Sequence, residues 1–437
     1  MNTVSRLQLD KRYAVVGLGA SGLSSVRFLL KHSISPLVCD TRKQPPGLAQ
    51  LPEHLEVVCG ELPQAKLLDY DVVIVSPGIA LATPELQALA KAGVELIGDV
   101  ELFCRYASAP IVAITGSNGK STVTSLVGDM AKQAGMKVAV GGNIGVPALD
   151  LLADEVELYV LELSSFQLET TTSLTAKAAT LLNVSEDHMD RYQGLADYIA
   201  AKQKIYKGAE WAVVNLDDAQ STPITGSHPT FSFSVNQIAD YYLSVDKQQL
   251  MRGDEILVHT NELPLVGTHN YANILAALAL AEAVGAELGA CIEAAKQFTG
   301  LAHRCQLVSR KNDIAWINDS KATNVGATLA ALHGLSNGKA NLWLIAGGDS
   351  KGGELAELAP AFAKLAGIVA FGKDKHRFQE LEHSILLKND LNEAFAWCAE
   401  QAKAGDIVLL SPACASLDMY KSFEMRGQHF CELVEAL

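Results

Sequence analysis

The stretch Ile111–Thr122 limits what this chain can become more than any other. Ile111-Val-Ala-Ile-Thr115 is a short apolar run rich in β-branched residues, the pattern of a buried strand. Gly116-Ser-Asn-Gly-Lys-Ser121 follows, and Val123 to Ala134 then shows helical spacing. A strand, a glycine turn and a helix opening on Lys-Ser form a phosphate cradle. Backbone N–H groups and the helix N-terminus face the anion, Lys120 neutralises β- and γ-phosphate oxygens, and Ser121 can hold Mg²⁺. The Walker spacing is not met, because Ile114 stands where its first glycine would be.

The remainder must then support an αβ architecture. A chain of 437 residues is too long for one core, so two or three domains are expected. With 49% hydrophobic and 19% charged residues it is globular rather than disordered. A formal charge of −14 argues against a general nucleic-acid or anionic-membrane surface, so any phosphate site has to be local. Met1–Lys11 carries no apolar signal region, and no run is long enough to span a bilayer, so no membrane insertion is expected. Eight cysteines without a Cys-x-x-Cys pair suit reduced thiols in a cytoplasm better than disulfides or zinc.

Residues 11 to about 98 alternate strand and helix, with strands expected at Tyr13–Gly17, Leu37–Asp40, Val57–Gly60, Asp71–Ser76 and Glu95–Ile97. Helices are expected at Ser21–Lys31 and Pro84–Ala92, which together predict a doubly wound parallel sheet. Gly17-Leu-Gly19-Ala-Ser-Gly22 follows the first strand, and Asp40 closes the second, 18 residues after Gly22. Alone, this is an NAD fingerprint. The same geometry holds any diphosphate beside a ribose, so the motif names a diphosphate nucleotide and not nicotinamide. Ser76-Pro-Gly78 ends the fourth strand and can reach the same crevice.

A second unit begins at Ala109-Pro110 and carries the phosphate loop. Its further strands are Val138–Gly142, Leu158–Leu163, ending at Glu162-Leu-Ser-Ser165, and Ala178–Val184, leading into Ser185-Glu-Asp-His188-Met-Asp190. Acidic and histidine residues at the carboxyl ends of parallel strands beside a phosphate loop are placed as Mg²⁺ ligands. Glu162 is therefore read as a metal ligand over a buried hydrogen-bonded carboxylate, and His188 as a metal or substrate group over an exposed turn. A helix Leu195–Lys207 carries Lys202 and Lys204, and residues 229–267 look like short antiparallel strands. From about residue 301 a third alternation starts, with strands near Trp316-Ile317, Leu342–Ala346, Ile368–Phe371 and Ile407–Leu410. Asn318–Asn324, Gly347–Lys351 and Ser411–Ser416 each follow a strand and should meet at one edge. Lys321 and Lys351 lie in these loops, where a solvated lysine is the ordinary reading.

Several segments together resemble the Mur ligases. They are Asp40-Thr41-Arg42, Gly116–Thr122, Leu161–Gln167, Glu186–Arg191, Asn318–Asn324, Ser411–Asp418 and Phe423–Gly427. His269-Asn-x-x-Asn273 and Leu301-x-His-Arg304 also fit, but Cys305-Gln306 stands where an apolar residue and Glu are expected, so no role rests on a carboxylate at 306. The resemblance implies three αβ domains. These are a Rossmann-like UDP-substrate domain (1–98), a central parallel-sheet P-loop ATPase with a small antiparallel sheet (99–300), and a Rossmann-like closing domain (301–437). It implies ATP-dependent joining of D-glutamate to UDP-N-acetylmuramoyl-L-alanine through an acyl phosphate, in peptidoglycan precursor synthesis. Two Mg²⁺ sites, no NAD and a cytoplasmic monomer are expected with it.

Residue by residue, the resemblance puts Gly116, Ser117, Asn118, Gly119, Lys120, Ser121, Thr122, Asn273, Arg304 and Asp319 on ATP. Ala20, Ser21, Asp40, Thr41, Arg42, Gly78 and Asn143 fall to the UDP substrate, and Thr323, Lys351, Ser416 and Phe423 to D-glutamate. Ser121, Glu162, His188 and Lys202, the last as a carbamate, would serve the metal, with Lys120, His188 and Lys202 catalytic. Three rivals stay open: a folylpolyglutamate synthetase, an NAD-dependent oxidoreductase built on residues 11–98, and a nucleotide-binding regulator without catalysis.

Overall fold

A computed structural model of the chain describes residues 7–437 apart from 190, 225–227, 266, 336–340 and 383. Asp190, counted above among the acidic neighbours of His188, lies outside them. Three sheets form among the described residues, one for each expected αβ unit.

The first sheet contains β1 (Tyr13–Val16), β2 (Leu37–Asp40), β3 (Val57–Cys59), β4 (Val72–Val75) and β5 (Glu95–Ile97). All pairs are parallel, in the order β3-β2-β1-β4-β5. The order reverses between β1 and β4, so a crevice opens beyond their carboxyl ends. Gly17 turns there with φ +92°, and a Cβ on Gly22 would lie 1.8 Å from the Gly17 oxygen, so both positions demand glycine. The hydroxyl of Ser76, at the end of β4, donates to that same oxygen at 2.7 Å.

The central sheet contains β6 (Ile111–Thr115), β7 (Val138–Gly142), β8 (Leu158–Glu162), β9 (Ala178–Leu181), β10 (Trp211–Asn215), β11 (Thr230–Ser234), β12 (Tyr241–Leu243), β13 (Gln249–Arg252) and β14 (Glu255–His259). Its order is β14-β13-β12-β11-β10-β9-β6-β8-β7, which puts β6 between β8 and β9. The antiparallel strands do not form a separate sheet; they extend this one at its edge. Among the described residues of 229–267 only β12, β13 and β14 pair antiparallel, whereas β11 runs parallel to β10 and β12. Residues 216–229 are long enough to make the crossover a parallel pair requires. The helix expected over Leu195–Lys207 ends at Gln203 and finishes as a 3₁₀ turn, Lys204–Tyr206.

One face of β6 packs on the helices Lys120–Gln133 and Thr268–Ala283. Its other face shares a continuous core with the first unit, in which Val15 and Leu29 join Ala113 and Leu161 through Phe103. The helix Asp99–Tyr106 makes the join, with Phe103 edge-on to Tyr159 at 5.0 Å. The Glu101 carboxylate on that helix accepts the N–H groups of Thr172 and Ser173 at 2.7 and 2.9 Å.

The third sheet contains β15 (Gln306–Lys311), β16 (Ile314–Asn318), β17 (Leu342–Gly347), β18 (Gly367–Phe371), β19 (Leu386–Leu387) and β20 (Ile407–Leu410). It is parallel except for β15, in the order β15-β16-β20-β17-β18-β19. Because β16, β20 and β17 are neighbours, the loops after them do meet. Ser411 donates to Asp319 at 2.8 Å, and Asp349 bridges to Ala415. Arg426, fully buried, ties the carbonyls of Ser320 and Cys414 at 2.8 and 3.1 Å. This unit has its own two cores. Among the described residues no helix is long and apolar enough to cross a membrane.

Candidate active site

A cavity of about 750 Å³ lies where the carboxyl ends of the central sheet face the strand-end loops of the third sheet. Its central wall is the phosphate loop. The helix begins at Lys120, and Gly119 precedes it with φ +81°, where a Cβ would strike the Asn273 side chain at 2.4 Å. Asn118 N–H donates to Asn183 Oδ1 at 2.8 Å and Ser117 Oγ to the Ser185 carbonyl at 2.9 Å, which fixes the turn. Lys120 Nζ curls back to the carbonyls of Gly116 and Ser117, both at 2.9 Å, and burial lowers its pKa. Ile114 is fully buried in β6 between β8 and β9, so the turn starts two residues later than in the Walker pattern.

Glu162 ends β8, next to β6, and is 3% exposed. Asn143 donates to its Oε1 at 2.7 Å, while its Oε2 is buried without a hydrogen-bond partner. An orphaned carboxylate oxygen at the phosphate loop is what a bound cation would satisfy. Ser121 Oγ faces the same space and accepts from Arg304 Nη2 at 2.6 Å. His188 lies on the cavity wall with φ +59°, packed on Phe166 at 4.8 Å, its Nε2 3.7 Å from Asp187 Oδ2. Among the described residues no three His, Cys, Asp or Glu side chains converge. The donor set therefore fits Mg²⁺, which keeps waters and phosphate oxygens in its shell, better than a metal that needs a full protein cage.

Lys202 is not on the cavity wall. It is 1% exposed beneath the loop, donating to the Gly116 carbonyl at 2.8 Å and to Thr115 Oγ1 at 3.4 Å. Burial, then the charge of Lys120, pushes its pKa well below the usual lysine range.

The third sheet supplies the opposite wall, with Thr323, Lys351, Ser416 and Phe423 all lining the cavity. Arg304 and Asp319 lie between the two walls. Burial pushes the Asp319 carboxyl up to about 7, although Ser411 and the Cys305 N–H both donate to it. Gln306 accepts the His303 N–H at 2.9 Å, so an amide oxygen holds that turn without a charge. Sequence reasoning gave Lys321 no role, yet it lines the cavity with Nζ 4.0 Å over the Phe423 ring. Its position in a strand-end loop was the only signal. Asp187 also lines the cavity, beside Asn324 at 3.4 Å.

The residues expected on the UDP substrate lie apart from this cavity, except Asn143, which is on its wall. Ala20 and Ser21 open the helix Ala20–Lys31 at the first sheet's crevice. Asp40 is 1% exposed, with Oδ2 accepting the Leu18 N–H at 2.6 Å. The Arg42 guanidinium grips both its oxygens, at 2.9 and 2.7 Å. Burial alone would raise the Asp40 carboxyl; Arg42 and the two backbone N–H groups overcome it and hold it at about 2. Asp40 thus organises the loop, while the Arg42 side chain stays half exposed. Thr41 lies between them, and the Gly78 carbonyl accepts from Arg191 at 3.5 Å.

Three family descriptions match successive parts of the chain. They are the N-terminal domain of MurD-like Mur ligases over residues 11–98, the Mur ligase middle domain over 114–281, and the Mur ligase glutamate ligase domain over 303–414. The chain belongs to the Mur ligase family. A UDP-N-acetylmuramoylalanine--D-glutamate ligase of Haemophilus influenzae (strain PittEE) is 52% identical over 98% of this chain and 99% of its own length. One from Escherichia coli (strain K12) is 51% identical, covering 98% of each. Among solved structures, the MurF ligase of Thermotoga maritima in complex with ADP matches with a TM-score of 0.64 at 18% identity, over 99% of this chain and 98% of that one. At that identity the match speaks for the fold alone.

Proposed function

We infer that the chain joins D-glutamate to UDP-N-acetylmuramoyl-L-alanine with hydrolysis of ATP to ADP and phosphate, a step of peptidoglycan precursor synthesis. The observation that carries this is the single cavity in which a phosphate loop and Glu162 face the glutamate-ligase loops at Thr323, Lys351 and Ser416. It fits with full-length identity of about half to D-glutamate ligases.

The substrate's carboxylate is a poor acylating agent, so it first attacks the γ-phosphoryl to give an acyl phosphate. Two anions must approach, and Lys120, released from the Gly116 and Ser117 carbonyls, offsets their repulsion. Backbone N–H groups from Gly119 to Thr122, at the start of the helix, cradle the phosphates, with Gly116, Ser117 and Asn118 shaping the turn, while Asn273, Arg304 and Asp319 serve adenosine. Ser121, Glu162 and His188 would hold Mg²⁺, which supplies charge neutralisation and in-line orientation. Lys202 would act as a carbamate: its neutral amine adds CO₂ and loses a proton, replacing a cation with an anion behind the metal ligands.

Ala20, Ser21, Asp40, Thr41, Arg42 and Gly78 would hold the uridine diphosphate, and Asn143 the acyl end. This use of the glycine fingerprint needs no dinucleotide. Thr323, Lys351, Ser416 and Phe423 would position the two carboxylates of D-glutamate, whose amine then displaces phosphate. The seams near residues 98 and 300 would separate UDP-substrate, ATPase and closing domains. We place the enzyme as a monomer in the cytoplasm, where ATP and UDP-linked precursors coexist.

Phosphate release with MgATP and UDP-N-acetylmuramoyl-L-alanine, scanned over D-glutamate, L-glutamate, D-alanine and diaminopimelate, tests the reading. Release with D-glutamate alone is expected, and none from Lys120→Ala. Equal release with another acceptor, or none with any, would overturn it.

A further inference from the structure

Five lysine and arginine side chains line the cavity, Lys120, Arg304, Lys321, Lys351 and Lys421, and the two at the phosphate loop are engaged. Lys120 donates to two backbone carbonyls, and Arg304 to Ser121. The Lys321 side chain makes no hydrogen bond or ion pair among the described residues, and its Nζ lies over the Phe423 ring at 4.0 Å. It shares the cavity wall with Thr323, Ser416 and Phe423.

We propose that Lys321 is the base that removes a proton from the incoming ammonium of D-glutamate, which rests on the ligase reading above. D-Glutamate reaches the site as an ammonium ion, whose nitrogen has no lone pair to attack with. A group on the glutamate side of the cavity must take that proton, and it must be free to accept it. The Asp319 oxygens are occupied by Ser411 and by the Cys305 N–H. His188 is assigned to the metal, and its Nε2 lies 3.7 Å from Asp187 Oδ2.

The surroundings of Lys321 make its neutral amine accessible. Burial, then the charges of Arg304 and Lys120, push it down to about 8 against the opposing pull of Glu162 and Glu424. Those four groups come from the 301–305 turn, the phosphate-loop helix, β8 and the helix Phe423–Glu435, and two cations outweigh two carboxylates. A lysine shifted to this range suits proton transfer near neutral pH.

The step balances. The Lys321 amine takes one proton from the D-glutamate ammonium and becomes an ammonium itself. The freed lone pair forms the C–N bond to the acyl-phosphate carbonyl carbon. The C–O bond to phosphate then breaks, its electron pair leaving with phosphate, which also takes the second nitrogen proton. The Lys321 ammonium remains beside the departing anion and returns its proton to solvent.

The test separates nucleophiles that need a base from one that does not. Hydroxylamine is largely unprotonated at neutral pH and traps an acyl phosphate as a hydroxamate. Lys321→Arg keeps the charge but cannot accept a proton. It is expected to form hydroxamate at close to the wild-type rate while D-glutamate ligation at pH 7.5 falls by roughly a hundredfold. The remaining ligation should rise about tenfold per pH unit with the free amine of D-glutamate, where the wild type levels off. Lys321→Gln should show the same split, so the test survives if one variant fails to fold. A wild-type rate and pH profile in either variant, or equal loss of hydroxamate and of D-glutamate ligation, would overturn the proposal. The ligase reading itself fails separately, if the wild type shows no phosphate release that depends on D-glutamate.

Discussion

Lys120 and Lys202 donate to one and the same carbonyl oxygen, that of Gly116, at 2.9 and 2.8 Å. Two ammonium ions on one acceptor repel, and burial resolves the conflict by favouring the neutral form of Lys202. A neutral amine is the form that reacts with CO₂. Lys202→Ala should therefore lose most activity, and formate or acetate should restore part of it by replacing the missing anion. Lys202→Arg should not be rescued, because a guanidinium stays cationic. Labelled bicarbonate should give a carbamate signal in the wild type. No rescue and no signal would remove Lys202 from the chemistry.

Arg42 grips Asp40 with two hydrogen bonds while its own side chain stays half exposed. Arg42→Ala should raise KM for the UDP substrate by roughly ten- to a hundredfold, the scale of a lost charged contact. KM for ATP should not move. A rise in KM for ATP instead would show that the two nucleotides had been assigned to the wrong units.

The parallel sheets and their strand-end loops were legible because fully buried parallel strands leave continuous apolar runs, as in Tyr13–Val16 and Ile111–Ile114. Two half-polar strands were not. β15 (Gln-Leu-Val-Ser-Arg-Lys) and β13 (Gln-Leu-Met-Arg) are half polar and draw their order from neighbours. The parallel pairing of β11 depends on a crossover that no local pattern reports. At the site, Gly116–Thr122 and Glu162 could be placed because glycine turns and strand ends mark them. Lys321 could not, since its environment comes from Arg304, Lys120 and Phe423, which are distant in sequence. Nor could the position of Lys202 under the loop, which only the packing of its helix sets.

Asp319 makes stability depend on pH. Its carboxyl is raised to about 7 in the fold, against about 3.9 for an unfolded chain. The folded state thus keeps a proton that the unfolded chain has lost, so its contribution is full below about pH 4 and is lost as pH rises through about 7. Asp319→Asn removes this titration. Measured by denaturant unfolding, the variant should gain on the wild type between pH 5 and 8 by on the order of 2–3 kcal/mol. A pH-independent difference would contradict the burial account.

The link between the central and third sheets contains Gly300 at φ +92°, His303 at +63° and Cys305 at +43°. Two non-glycine residues in the left-handed region mark a joint held under strain. We expect rigid-body closure there, with small-angle scattering showing compaction on adding ATP and UDP substrate. Identical curves with and without ligands would argue for a fixed arrangement.

The central claim is that this cavity activates a carboxylate by phosphorylating it. UDP-N-acetylmuramoyl-L-alanine carrying heavy oxygen in its carboxylate, turned over with MgATP and D-glutamate, tests this directly. The account predicts that each phosphate released carries one heavy oxygen from the substrate, because the acyl C–O bond is the one that breaks. Phosphate free of the label, with amide product formed, would contradict it.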